Sequence, residues 1–156
     1  MSVPPGRERR RETRRRETTG EKRGFFVPRI LVVEDDRELR QVVCYTLMDI
    51  GATCVEATDG RQALEILCQS LAPEEQFQMV LMDILMPGGV SGWDVLEAMR
   101  ANPLWSDIPV IVLSGKATLL AEQERARKLG ATHIQKTARF VDEVIEKVQE
   151  VLGLEG

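Results

Sequence analysis

Apolar residues along this chain follow two alternating rhythms. Short runs of four or five aliphatic and β-branched residues are separated by stretches in which apolar residues return every three or four positions. Arg29-Ile30-Leu31-Val32-Val33 reads as a buried strand. Beyond an acidic cluster, Leu39, Val42, Val43 and Leu47 share one helical face, and Gly51 closes that helix. Thr53-Cys54-Val55-Glu56-Ala57 is a second strand. The helix predicted over residues 60–71 turns Ala63, Leu64 and Leu67 inward. Met79-Val80-Leu81-Met82 is a third strand, apolar on both faces.

The second half repeats the pattern. A helix is predicted over residues 92–101, a strand over 109–113, and a helix over 119–129 that stops at Gly130. Thr132-His133-Ile134-Gln135 forms a short last strand. A final helix over 140–152 presents Val141, Val144, Ile145, Val148 and Leu152 to the core. Five strands alternating with five helices imply right-handed βαβ units and a parallel sheet covered on both faces, a doubly wound α/β sandwich.

Charge divides the chain in two. Residues 1–29 hold ten Lys/Arg and four Glu, a net +6, whereas residues 30–156 hold eleven Lys/Arg and twenty-one Asp/Glu, a net −10. Residues 1–28 read as a basic arm, since the run from Arg7 to Arg16 has no apolar residue with which to offset the entropy of ordering. A solvated, disordered arm is the preferred reading over one that contacts nucleic acid, because no aromatic residue interleaves the arginines. The domain is expected over 29–153, with no output domain after it. Three cysteines without a CxxC or Cys/His pair suit neither a disulfide framework nor zinc. No apolar run is long enough for membrane insertion, and a cytoplasmic location is the simplest expectation.

In a doubly wound sheet, ligands sit beyond the carboxyl ends of the strands. Strand one runs into Glu34-Asp35-Asp36, strand three into Asp83, strand four into Ser114, and Lys136 follows strand five. Singly, each has an ordinary role. Asp35 or Asp36 can cap the next helix, and Ser114 and Lys136 can be loop residues. Their convergence on one sheet edge points to a site. Three crowded carboxylates repel unless a cation or protons intervene, and a hard ion such as Mg²⁺ suits carboxylates plus phosphate oxygens.

The stretches Ile30 to Asp36, Val80 to Gly88, Pro109 to Ser114 and Gly130-Ala131 leading to Lys136 resemble the receiver domains of bacterial response regulators. The resemblance implies a flavodoxin-like fold with strand order 2-1-3-4-5. It implies Mg²⁺ held by Glu34, Asp35, Asp83 and the backbone carbonyl of Leu85. It further implies that Asp83 takes a phosphoryl group from a phosphohistidine on a histidine kinase or histidine phosphotransfer protein, assisted by Lys136. Ser114 and His133 fall at the switch positions, and the surface of the fourth helix, fifth strand and fifth helix would pass the signal to a downstream protein.

The chain departs from the family pattern at several points. Thr137 stands where a proline usually follows the lysine, which leaves two geometries for the Lys136–Thr137 bond: trans with an altered lysine approach, or cis and held by its surroundings. His133 occupies the usual aromatic position, either as a partly buried strand residue or as a rotamer switch that also senses pH. The glycine-rich loop 87–92 lacks a following Gly-Lys-Ser/Thr and reads as a flexible loop, not a phosphate cradle. Gly115 leaves access to the site open. A phosphohydrolase with an aspartate nucleophile is disfavoured, because Leu85 stands where its general acid belongs. A phosphorylation-independent scaffold is the other alternative.

Overall fold

The computed structural model describes residues 26–115 and 120–154. The basic arm, apart from Phe26 to Pro28, lies outside the described residues. Pro28 is buried, and its carbonyl accepts from the Thr53 N–H at 2.8 Å, which ties it to the start of the second strand. Among the described residues, five strands alternate with five helices: β1 (Arg29–Val33), α1 (Arg37–Asp49), β2 (Thr53–Ala57), α2 (Gly60–Gln69), β3 (Met79–Asp83), α3 (Gly92–Ala101), β4 (Val110–Ser114), α4 (Leu120–Lys128), β5 (Thr132–Gln135) and α5 (Phe140–Leu152). All pairs are parallel, in the order β2-β1-β3-β4-β5.

Successive strand residues point to opposite faces, so the sheet has two cores. Ile30, Val32, Met79, Leu81, Ile111, Leu113 and Ile134 pack against α1 and α5. Leu31, Val33, Val80, Met82, Val110 and Val112 pack against α2, α3 and α4. Every residue of β3 and β4 is buried, as strands with helices on both faces require.

The helix starts are specified locally. Asp36 accepts from the N–H groups of Glu38 and Leu39 and so caps α1. Asp59 caps α2 through the Gln62 N–H, and Ser91 with Asp94 forms a capping box at α3. Gly130, at φ +65°, makes the left-handed turn into β5. Gly92 serves close approach, since a Cβ there would collide with the Asp83 carbonyl. Its N–H donates to the Ile84 carbonyl at 2.9 Å, which draws the start of α3 against the end of β3. In the loop 87–92, Gly88 and Gly89 lie at positive φ, a backbone conformation that favours glycine.

Several sequence expectations need adjustment. Val42 is exposed, and Cys44 takes the buried position on α1 instead, because the helix is rotated to set Val43, Cys44 and Leu47 against the sheet. The second helix stops at Gln69, with Leu71 exposed, where the Ser70 hydroxyl donates to the Ile66 carbonyl. The fourth strand begins at Val110, since Pro109 has no N–H for the ladder, although its carbonyl accepts from Val80. Leu119 lies outside the described residues. A 3₁₀ turn at Pro73–Glu75 was not anticipated.

Arg100, at the end of α3, clamps two connections. Its Nε donates to the Leu129 carbonyl at 2.6 Å and its Nη1 to the carbonyls of Ser106 (3.0 Å) and Ile108 (2.8 Å), while Nη2 reaches Gly130 at 3.3 Å. Only a planar, multi-donor cation spans four acceptors in this way. Arg100→Ala is expected to lower unfolding free energy by about 2–4 kcal/mol in urea titration, and Arg100→Lys to recover only part of the loss.

Candidate functional site

The pocket lies at the carboxyl edge of the sheet, beside β1 and β3. Glu34 leaves β1 and is 3% exposed. Its main chain is held from two sides: the N–H donates to the Ala57 carbonyl at 3.0 Å, and the carbonyl accepts from Arg40 Nη1 at 2.8 Å. Arg40 is in turn held by Glu56, at 2.9 Å from Nε to Oε1. Asp83, the last residue of β3, is 6% exposed, and Asp35 is exposed at the mouth. Glu34, Asp35 and Asp83 each offer a carboxylate oxygen within 4.8 Å of the others.

Adjacent acids thus divide two tasks. Asp36 caps α1, whereas Asp35 joins the acidic cluster.

Lys136 supplies the opposing charge. Its Nζ donates to Glu34 Oε1 at 2.7 Å and to Asp83 Oδ2 at 2.8 Å. Its N–H donates to the Ser114 carbonyl at 2.7 Å, which continues the β4–β5 ladder past the strand ends. The Lys136–Thr137 bond is trans, so the lysine reaches both acids without a proline behind it. Ser114, 5% exposed, ends β4, and its Oγ lies 2.9 Å from His133 Nε2. Asp83 Oδ1 accepts from the Leu85 N–H at 3.4 Å, and the exposed Leu85 lies on the loop leaving β3. The structure therefore brings Glu34, Asp35, Asp83 and Lys136 into one cluster, with Ser114 and His133 as a bonded pair on the neighbouring strands.

The electrostatics are unbalanced. Burial first, and then the approach of Asp83, push the Glu34 carboxyl up to about 8, with Lys136 pulling the other way. Burial pulls the Lys136 ammonium down, but its hydrogen bonds to Asp83 and Glu34 outweigh this and hold it above the usual lysine value. Glu34 Oε2 is buried without a hydrogen-bond partner. A buried, unsatisfied carboxylate oxygen beside two further carboxylates is a donor set that fits a hard divalent cation.

Two residues of this arrangement escaped the sequence reading. Arg40 had no signal beyond lying in the first helix. Gly92 was visible only as one glycine among several in its loop.

Comparison with known proteins places the chain. A sequence model of the response regulator receiver domain matches residues 30–149. The phosphate regulon transcriptional regulatory protein PhoB of Escherichia coli is 35% identical over 101 residues, covering 65% of this chain and 40% of that protein. This chain therefore spans well under half the length of those relatives. The chemotaxis protein CheY of Pseudomonas aeruginosa is 32% identical over 125 residues, covering 78% of this chain and 96% of that protein. The solved structure of the Vibrio cholerae chemotaxis protein CheY4 superposes with a TM-score of 0.68 at 25% identity, covering 81% of this chain and 99% of that one.

The excess negative charge has a measurable consequence. Glu34 holds its proton more tightly in the folded chain than in the unfolded one, where its value returns toward 4.5. Stability contributed by that proton is fully present below pH 4.5 and is lost as the pH rises through about 8. Thermal melts in EDTA should show this decline. Added Mg²⁺ should raise the melting temperature more at pH 8 than at pH 5, and Asp83→Asn should flatten the slope in EDTA. A melting temperature in EDTA that rises steadily across this range would contradict the assignment.

Proposed function

The chain belongs to the response regulator receiver domain family of two-component signalling, and from that premise we propose that it is a phosphoacceptor switch with Asp83 as the acceptor. The donor is a phosphohistidine on a histidine kinase or histidine phosphotransfer protein. A carboxylate oxygen of Asp83 attacks phosphorus, the phosphorus–nitrogen bond breaks, and the departing imidazole keeps the bonding pair and takes up a proton. The observation that carries this reading is the Lys136 ammonium bridging Glu34 and Asp83 at 2.7 and 2.8 Å, which places a fixed cation beside the acceptor.

Glu34, Asp35 and Asp83, with the backbone carbonyl of Leu85, would hold Mg²⁺. When bound, that ion neutralises charge on the phosphoryl oxygens. Lys136 would do the same, and its bond to Asp83 keeps that carboxylate oriented. The Ser114 hydroxyl donates to a phosphoryl oxygen, and Ser114 and His133 together form the switch. Their rearrangement alters the surface around α4, β5 and α5, through which the signal passes to a downstream protein or onward in a relay. Arg125 on α4 already ties this region to α3, pairing with Glu97 at 2.8 Å and lying over the Trp93 ring at 4.7 Å.

Residues 29–153 constitute the receiver domain in this reading, preceded by a basic segment over 1–28. The location is cytoplasmic. Among the described residues no helix is long and apolar enough to cross a membrane.

Incubation with acetyl phosphate and Mg²⁺ is expected to add the mass of one phosphoryl group to the intact protein. Asp83→Asn and EDTA should each abolish the gain, and Lys136→Met should slow it by about a hundredfold, the scale of losing one aligned charge-stabilising donor. Failure to gain mass from acetyl phosphate or from any phosphohistidine donor, with no Mg²⁺ binding, would move the assignment to a phosphorylation-independent scaffold.

A further inference from the structure

α1 and β2 face each other through two pairs of side chains. Arg40 and Cys44 lie one helical turn apart on the same side of α1. Cys54 and Glu56 lie two residues apart on the same face of β2, the face that packs with the α1–α5 core. Arg40 pairs with Glu56 at 2.9 Å, and the Cys54 thiol donates to the Cys44 carbonyl at 3.7 Å. The two pairs are successive rungs between helix and strand. The first is ionic and secures the Glu34 carbonyl through Arg40. The second brings together two free thiols that the phosphoacceptor chemistry does not use.

We propose that Cys44 and Cys54 form an oxidisable dithiol, which a hydroperoxide closes into a reversible disulfide between α1 and β2. A buried cysteine ordinarily packs as a small apolar residue. Here the sulfur of one is aimed at the other residue across the α1–β2 turn, ten positions away. The thiols also hydrogen-bond each other. That bond outweighs burial and holds the Cys44 thiol below its ordinary value, while the same bond and then burial push the Cys54 thiol up. Cys44 is therefore the attacking sulfur and Cys54 the resolving one. Cys44 is buried, but Cys54 is partly exposed, and hydrogen peroxide is small and uncharged.

The Cys44 sulfur attacks one peroxide oxygen. The oxygen–oxygen bond breaks, and the departing hydroxide leaves as water with the Cys44 proton. The Cys54 sulfur then attacks the Cys44 sulfenic sulfur. The sulfur–sulfur bond forms, the sulfur–oxygen bond breaks, and the hydroxyl leaves as water with the Cys54 proton. Two thiols are oxidised, and one peroxide is reduced to two waters. Cys68, exposed on α2 across the sheet, takes no part.

The sequence allows a direct test. Residues 41–61 form one tryptic peptide that contains both Cys44 and Cys54, whereas Cys68 falls in the peptide 62–100. The folded full-length chain is treated with hydrogen peroxide, alkylated with N-ethylmaleimide in denaturant, digested without reductant and weighed. The peptide 41–61 is expected to lose two hydrogens and take up no maleimide, and dithiothreitol before alkylation should restore both thiols. Cys44→Ser and Cys54→Ser should each abolish the two-hydrogen loss. In a Cys68→Ser background the oxidised chain should melt at a higher temperature than the reduced one, because the bond closes a loop within native geometry. Two alkylated thiols after peroxide, oxygen gained without the two-hydrogen loss, or a bond joining 41–61 to 62–100 would overturn the inference. So would an oxidised chain that melts no higher than the reduced one. Each of these outcomes is independent of the acetyl phosphate test, so the receiver reading stands or falls separately.

Discussion

The ammonium of Lys136 between the carboxylates of Glu34 and Asp83 is the contact on which the site is built. Both acids are buried at the ends of neighbouring parallel strands, and Asp35 adds a third carboxylate at the mouth. Left alone, such a cluster would take up protons or push its strands apart. One cation satisfies two of the carboxylates and leaves Glu34 Oε2 buried without a partner. The folded chain therefore carries an incompletely balanced pocket, in which three carboxyl groups face one ammonium. A balanced pocket would be more stable and would have less affinity for anything that completes it.

The architecture supplies the rigidity that this imbalance requires. β1 and β3 lie inside the sheet, with hydrogen-bonded neighbours on both sides and helices on both faces. Their ends cannot splay without disrupting two cores. Around the pocket the backbone is secured by specific devices: Arg40 on the Glu34 carbonyl, Gly92 bringing α3 against Asp83, and the Lys136 N–H on the Ser114 carbonyl. At the far edge, Arg100 gathers the connections that lead into β4 and β5. Ion pairs on the outer faces, such as Arg127 with Glu124, are solvated and contribute about 1 kcal/mol or less.

The candidate site joins groups near the centre of the sheet to a bonded pair nearer its edge. The acids and Lys136 stand on strand ends. Ser114 and His133 stand on β4 and β5, toward the edge of the sheet, where β5 has a strand on one side only. The chemotaxis relative from Pseudomonas aeruginosa is matched along nearly its whole length. The PhoB relatives extend well beyond the matched part, so what this domain controls is not carried over from them.

Local sequence determined the elements and the kinds of chemistry. Short apolar runs and period-3.6 apolar patterns located the five strands and five helices of the described residues, within two residues wherever the reading set bounds. The residues at the strand ends identified carboxylates, a hydroxyl and an ammonium as one candidate site. These are short-range properties, readable because neighbouring residues share one backbone geometry. Tertiary structure alone decided how the parts were used. It made Asp36 a cap and Asp35 a member of the cluster, turned Val42 outward, and gave Arg40, Gly92 and Arg100 their tasks. It also carried Lys136 across 102 positions to Glu34 through a trans peptide bond, and set His133 against Ser114. None of these is encoded in a local period. Each depends on which strand ends the sheet order brings within about 3 Å of one another, and hydrogen bonding and charge pairing decide nothing until that distance is reached.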